Sequence, residues 1–289
     1  MKKWSYDLPH ITKKQEEIME YVYKFRFLDR IQLQRLIKHK DYKRINVYLK
    51  DLVEKGYLYR IYVKKIPFNI KPAVYYLAPI GIRFTRRFGI DDHSQTFYKD
   101  NIRSESFKEK CMIIANLYLD LRDKTETLNV LNYFKTKQDF DKEYEDEEIF
   151  KPFPDIAISL KTYPALIQDY LNKKISLKTF NLKAKLNSKG KTNKQHLYLM
   201  EIIGEAAPRY YLRHRIKQYI EDSDYKGDLG IYQTVCFILP NNQTQKFVQK
   251  FITKTLEETL FEPHLKFATT TIDLLKQHGI IAGIWKEIK

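Results

Sequence analysis

The sequence predicts an α+β protein in two parts: a small helical domain closed by a β-hairpin, then a larger domain in which strands and helices alternate. Three observations predict it. Apolar residues recur every three to four positions up to Gly56 and then alternate. Residues 1–90 hold 21 Lys+Arg against 8 Asp+Glu, a net of +13, whereas the other 199 residues hold 31 against 28. Beyond residue 104 a long helical segment precedes short apolar runs of strand length. With 289 residues, 43% hydrophobic, 9 Gly and 10 Pro, the chain can bury two cores and is too poor in Gly and Pro for extended linkers.

Residues 11–23 (ITKKQEEIMEYVY) read as a first helix, with Thr12 as N-cap and Gln15 as its capping-box partner. Ile18, Tyr21 and Val22 give the apolar stripe, and a turn follows around residues 24–27. Residues 28–37 (LDRIQLQRLI) form a second helix, with Asp29 near its start and Ile31, Leu33, Leu36 and Ile37 inward. A third runs over 42–55, with core positions Ile45, Leu49, Leu52 and Val53, and Gly56 ends it where a left-handed cap is expected. Residues 58–65 then alternate, a loop holds Pro67, Asn69 and Pro72, and 73–77 alternate again, which is a hairpin.

Helix–helix–helix–hairpin, with the run "L..L...GYL.R" and the ending "YYLAPIGIRF", resembles the winged helix-turn-helix family. The resemblance implies that the third helix enters the major groove of double-stranded DNA and that the wing lies on phosphates. The third helix offers Lys43, Arg44, Asn46, Tyr48 and Lys50 on its exposed face, and the wing offers Arg60, Lys64, Lys65 and Lys71. Arg and Asn can pair with base edges, whereas Lys mainly meets phosphate. A concentrated positive field attracts a polyanion and releases its counterions. The competing role for such a domain is protein docking or dimerisation.

Residues 1–90 are thus expected to form the DNA-binding domain, 91–103 a linker and 104–289 the second domain. In the last, residues 105–122 are a helix, 129–134 a strand, 141–148 an acidic loop, 153–160 (FPDIAISL) a strand and 195–204 (QHLYLMEIIG) another. Between these two strands, residues 161–195 carry nine lysines and one acid; 164–171 is apolar enough for a helical turn, and the rest reads as a flexible basic insertion with a secondary role on DNA. A helix over 208–219, a strand over 234–239, a helix over 243–260, a strand over 266–271 and a final strand over 280–285 complete the chain.

Asp155 opens one apolar strand, and Glu201 is embedded in the next, where an acid is costly unless paired or metal-bound. Helix–strand–strand–strand–helix–strand with "PDI" and "LMEII" resembles the PD-(D/E)xK nuclease-like fold. In active members two carboxylates hold Mg²⁺, which activates water, and a lysine two residues after the second acid completes the set. Here that position is Ile203. Arg213, Arg215 and Lys217 on the next helix are candidate replacements, with Lys217 assigned to the set should the site be active, and Glu205 is a candidate further carboxylate. The whole chain is similar to the replication-relaxation family of plasmid and integrative elements, whose counterparts here are Pro154-Asp155, residues 199–203 (LMEII) and residues 217–219 (KQY). That resemblance implies a role in replication, relaxation or transfer of a mobile element, with a replication or relaxase protein, or a second copy of the chain, as partner. With Ile203 in place of lysine, the expectation is a domain without chemistry and without a cofactor; the alternative is a Mg²⁺-dependent endonuclease using Asp155 and Glu201.

Two distant cysteines, Cys111 and Cys236, in apolar surroundings exclude a disulfide framework and a zinc site. The seven histidines are scattered, and no Gly-rich phosphate loop occurs. No signal peptide or bilayer-length apolar run is visible, so a cytoplasmic protein without a membrane partner is expected.

Overall fold

The computed structural model describes residues 8–62, 72–85, 95–128, 130–143, 153–161, 164–189, 196–227, 233–259, 265–281 and 283–288. They pack as two compact units, Met1–Leu119 and Asp120–Lys289.

The first unit runs helix, helix, helix and hairpin, with a short strand ahead of the second helix. Its elements are α1 (Lys13–Phe25), β1 (Leu28–Asp29), α2 (Arg30–Leu36), α3 (Tyr42–Glu54), β2 (Leu58–Ile61), β3 (Val74–Leu77) and α4 (Pro79–Thr85). The three strands form one antiparallel sheet, in the order β1-β3-β2. The capping box expected at Thr12 is present: the Thr12 N–H donates to Gln15 Oε1 at 2.9 Å, and the Gln15 N–H to Thr12 Oγ1 at 3.4 Å. Asp29 and Gln32 make a second box at α2. Both glutamines are buried, and each uses its amide to reach a second helix. Gln15 donates to Asp51 Oδ2 of α3 at 2.6 Å, and Gln32 to the Met112 carbonyl at 2.9 Å. Gly56, at φ +73°, ends α3: its N–H donates to the Val53 carbonyl and the Tyr57 N–H to the Leu52 carbonyl. This is the six-to-one, five-to-two bond pair of a Schellman cap. Gly81 is required for a different reason, since a Cβ there would meet the Tyr57 carbonyl oxygen at 2.1 Å.

Ile31 was expected inward but is 47% exposed, and Val53 is half-buried. Residues 28–29 begin as a strand rather than as helix, because pairing with β3 takes precedence over the local helical pattern. The expected linker 91–103 also differs from expectation in its described half. It holds α5 (Gln95–Tyr98) and a 3-10 turn (Asp100–Ile102), with Phe97 and Asp100 buried. The reason is Arg26, whose guanidinium pairs with Asp100 and lies over the Phe97 and Phe107 rings at 5.0 and 4.9 Å. The first unit closes with α6 (Glu105–Thr125), within which the division between units falls.

The second unit is a six-stranded sheet, β4-β5-β6-β7-β8-β9, of β4 (Leu131–Thr136), β5 (Ile156–Leu160), β6 (His196–Ile202), β7 (Gln233–Leu239), β8 (Leu265–Thr271) and β9 (Lys286–Ile288). Strands β4, β5 and β6 are antiparallel, β6, β7 and β8 are parallel, and β9 is antiparallel to β8. The helices are α7 (Lys137–Glu143), α8 (Pro164–Leu171), α9 (Leu177–Lys189), α10 (Arg209–Gly227), α11 (Asn242–Glu257) and α12 (Ile272–His278). Along the chain α7 stands between β4 and β5, α8 and α9 between β5 and β6, and α10 between β6 and β7. Leu199, Ile203, Val235, Phe237 and Phe267 on one sheet face pack with Leu212, Ile216 and Ile220 of α10 and with Val248 and Ile252 of α11.

Three expectations shift. The final strand lies at Lys286–Ile288, beyond 280–285. The acidic run 141–148 begins as the end of α7, and the rest of it lies outside the described residues. Most of the lysine-rich stretch is helical, because α9 extends to Lys189. That stretch leaves β5 after Leu160 and rejoins β6 at His196, at the sheet end opposite the Ile156–Met200 pair. Both cysteines are buried and outside any disulfide, and no described helix is long and apolar enough to cross a membrane.

Candidate functional site

Two features carry chemistry, one in each unit. In the first unit, Asp41 caps α3 by accepting from the Lys43 N–H at 2.8 Å. The helix buries Ile45, Leu49 and Leu52, so Lys43, Arg44, Asn46 and Lys50 stand on the exposed face. Tyr48 is half-buried, and its hydroxyl accepts from Arg44 Nε at 3.3 Å. Between α3 and the hairpin lies a groove of about 720 Å³, lined by Arg30, Asn46, Lys50, Arg60 and Tyr62 among others. Arg60 is exposed on β2; the wing candidates Lys64, Lys65 and Lys71 lie outside the described residues.

In the second unit, alternation along β6 puts Leu197, Leu199, Glu201 and Ile203 on the face covered by α10. Glu201 is therefore drawn into an apolar core, where it is only 2% exposed. Three donors meet its Oε1: Arg215 Nε at 2.9 Å, Arg215 Nη2 at 2.5 Å and the Tyr219 hydroxyl at 2.6 Å. Arg215 Nη2 also donates to the Phe153 carbonyl, just ahead of β5. Asp155, half-buried at the start of β5, accepts from the Ile202 N–H at 2.8 Å, so its carboxylate continues the β5–β6 ladder past the last paired residues.

Burial raises the Glu201 carboxyl above the usual glutamate range, the nearby Asp155 charge adds to this, and Arg215 and Tyr219 oppose it. Burial likewise pushes the Tyr219 hydroxyl well up, with Glu201 as the next cause. Arg215 is held charged: burial works against its cation, but Glu201 and its hydrogen bonds outweigh that.

The two acids named from sequence thus meet at one end of adjacent strands. The basic partner is Arg215, one of the three candidates. Lys217 is exposed, because Leu212, Ile216, Tyr219 and Ser223 define the inward stripe of α10 and residue 217 falls off it. Arg213 stacks over Phe247 and Phe251, Glu205 is exposed, and Ile203 is core. Tyr219 was recognised only as part of the "KQY" run; its hydroxyl is the third donor to Glu201.

This arrangement does not fit Mg²⁺, which demands near-octahedral oxygen coordination. The position from which a cation would neutralise Glu201 is filled by a guanidinium and a phenol. Among the described residues no cluster of three or more His, Cys, Asp or Glu side chains gathers.

No protein-family model matches the chain, and no curated protein matches it. Among solved structures it is similar to restriction endonuclease FokI, at 10% identity and a TM-score of 0.26, over 92% of this chain and 44% of that one. The chain therefore spans less than half the length of that protein.

Proposed function

We propose that this chain binds duplex DNA through α3 and the hairpin, as an accessory or regulatory protein of a mobile genetic element. In this reading the domain holding Asp155 and Glu201 is a scaffold without chemistry of its own. The observation that carries it is the exposed face of α3, on which Lys43, Arg44, Asn46 and Lys50 stand together within residues 1–90, which have a net charge of +13. The resemblance to the replication-relaxation family supplies the class of partner, a replication or relaxase protein. Each Lys or Arg lost from a phosphate contact lowers the salt slope of binding by about one. The double variant Lys43→Ala/Arg44→Ala is expected to bind duplex about tenfold more weakly at about 50 mM salt, with a slope smaller by about two. Fluorescence anisotropy across a salt series reads both, and an unchanged affinity and slope would remove α3 from the DNA face.

The convergence of Asp155 and Glu201 with Arg215 favours one competing reading, a metal-dependent endonuclease. Supercoiled plasmid incubated with the pure chain and Mg²⁺ or Mn²⁺ is expected to stay intact, because Glu201 is already sealed. Nicking that disappears in Glu201→Ala would replace the scaffold reading with the nuclease.

A further inference from the structure

The sheet face turned away from Glu201 carries a cavity of about 340 Å³. Its floor follows from strand register. Met200, Cys236 and Ala268 stand side by side on β6, β7 and β8. One pleat away run Ile158, Tyr198, Thr234 and Lys266. Side chains are short at Thr234, Cys236 and Ala268, between Tyr198 and Met200 on β6 and Lys266 on β8, so the sheet is hollowed along β7 and at Ala268. Leu121 of α6, Ile280, Ile281 and Trp285 add to the lining, and Trp285 is fixed by donating from Nε1 to the Ile280 carbonyl at 2.9 Å.

Close-packed interiors leave few voids larger than one water, about 30 Å³. A space about ten times that, lined mainly by apolar side chains, falls within the size range of small-molecule sites, roughly 300–1,000 Å³. Its polarity is graded. The β5–β6 end holds Ile158, Leu160 and Met200 beside the Tyr198 ring, whereas Thr234 on β7 leads to the exposed Lys266 and Glu287 at the β8–β9 end. Burial, with Glu287 adding to it, holds the Cys236 thiol protonated, so it serves as lining and not as a nucleophile.

We propose that this cavity binds a small, mostly apolar molecule with one hydrogen-bonding end, its body on Met200, Cys236 and Ala268 and its polar end toward Thr234 and Lys266. The chain has two tryptophans, so the full-length Trp4→Phe variant leaves Trp285 as a single reporter inside the site. The probe is N-phenyl-1-naphthylamine, uncharged, with an apolar body and one N–H. Saturable quenching of Trp285 at micromolar probe is expected. Ala268→Phe in the same background fills the hollow and is expected to weaken binding at least about tenfold, with the far-UV spectrum and thermal midpoint retained. Should that variant unfold, Cys236→Leu takes its place with the same expected loss. On the otherwise native chain, saturating probe should also raise the thermal midpoint, because it binds only the folded state. Unchanged Trp285 emission, an unshifted thermal midpoint, or undiminished binding by a folded filled variant would each overturn the proposal. None of these outcomes touches the DNA reading, since no cavity residue lies in α3 or the hairpin.

Discussion

Replacing Arg215 by alanine is expected to lower the unfolding free energy by about 3–5 kcal/mol, because it leaves the Glu201 charge buried without its cation. Glu201 is 2% exposed and the Arg215 side chain 13%, so solvent cannot replace the lost partner. The loss should depend on pH, with a definite sign. Burial already raises the Glu201 carboxyl in the folded state, and a raised acid stabilises the fold below its unfolded pKa, about 4.3, and loses that contribution as pH climbs through the folded value. Arg215 is one of the groups holding the value down. Its removal raises the carboxyl further and widens the window of loss, so the difference between wild type and Arg215→Ala should grow from pH 5 to pH 7.5. Urea melts at the two pH values measure this. A double variant that makes both positions apolar, Glu201→Leu with Arg215→Met, should recover most of the stability, since it removes the buried charge altogether. A loss below about 1 kcal/mol at both pH values would mean that Glu201 is not sealed as described.

The second large effect belongs to Arg26. Its guanidinium bonds the fully buried Asp100, donates to the Thr96 carbonyl at 3.1 Å and lies between two aromatic rings. Arg26→Ala is expected to cost about 3–5 kcal/mol, chiefly because the buried Asp100 is left with Arg103, at 3.8 Å, in place of its close cation. Asp100→Asn should cost less, since a neutral amide carries no desolvated charge. Chemical denaturation of the full chain reads both. A reversal of that order would shift the weight from the buried charge to the stacking of Arg26 on Phe97 and Phe107.

These two residues also mark where sequence reading succeeds and where it stops. Local grammar was legible. The Thr12–Gln15 box, the Asp29 start and the Gly56 cap act within a few residues of themselves, and each is present. The acid pair was legible for a related reason: an acid inside an apolar strand is costly, and that cost is visible without a structure. The partner was not resolved, because choosing among Arg213, Arg215 and Lys217 needs the rotational phase of α10 over the sheet, which packing of Leu212, Ile216 and Ile220 sets. Arg26 and Asp100 are 74 positions apart, and neither has a local pattern that betrays the other, so the stretch around Asp100 read as a linker. Helix α9 was hidden by its lysines, whose spacing leaves little apolar stripe to count.

The placement of α8 and α9 has a consequence for chain length. They fill the connection between two antiparallel neighbours, β5 and β6, a join that a tight turn of a few residues can make. The entropy of closing such a connection grows only logarithmically, about 0.6 kcal/mol for each doubling of its length. By that term alone, lengthening the excursion costs the β5–β6 pairing little, and it enters at the sheet end away from Asp155 and Glu201. Residues 161–195 can therefore accept an inserted loop or a grafted tag at a small closing cost, whereas deleting α8 or α9 would also forfeit the burial of Ile167 or Phe180.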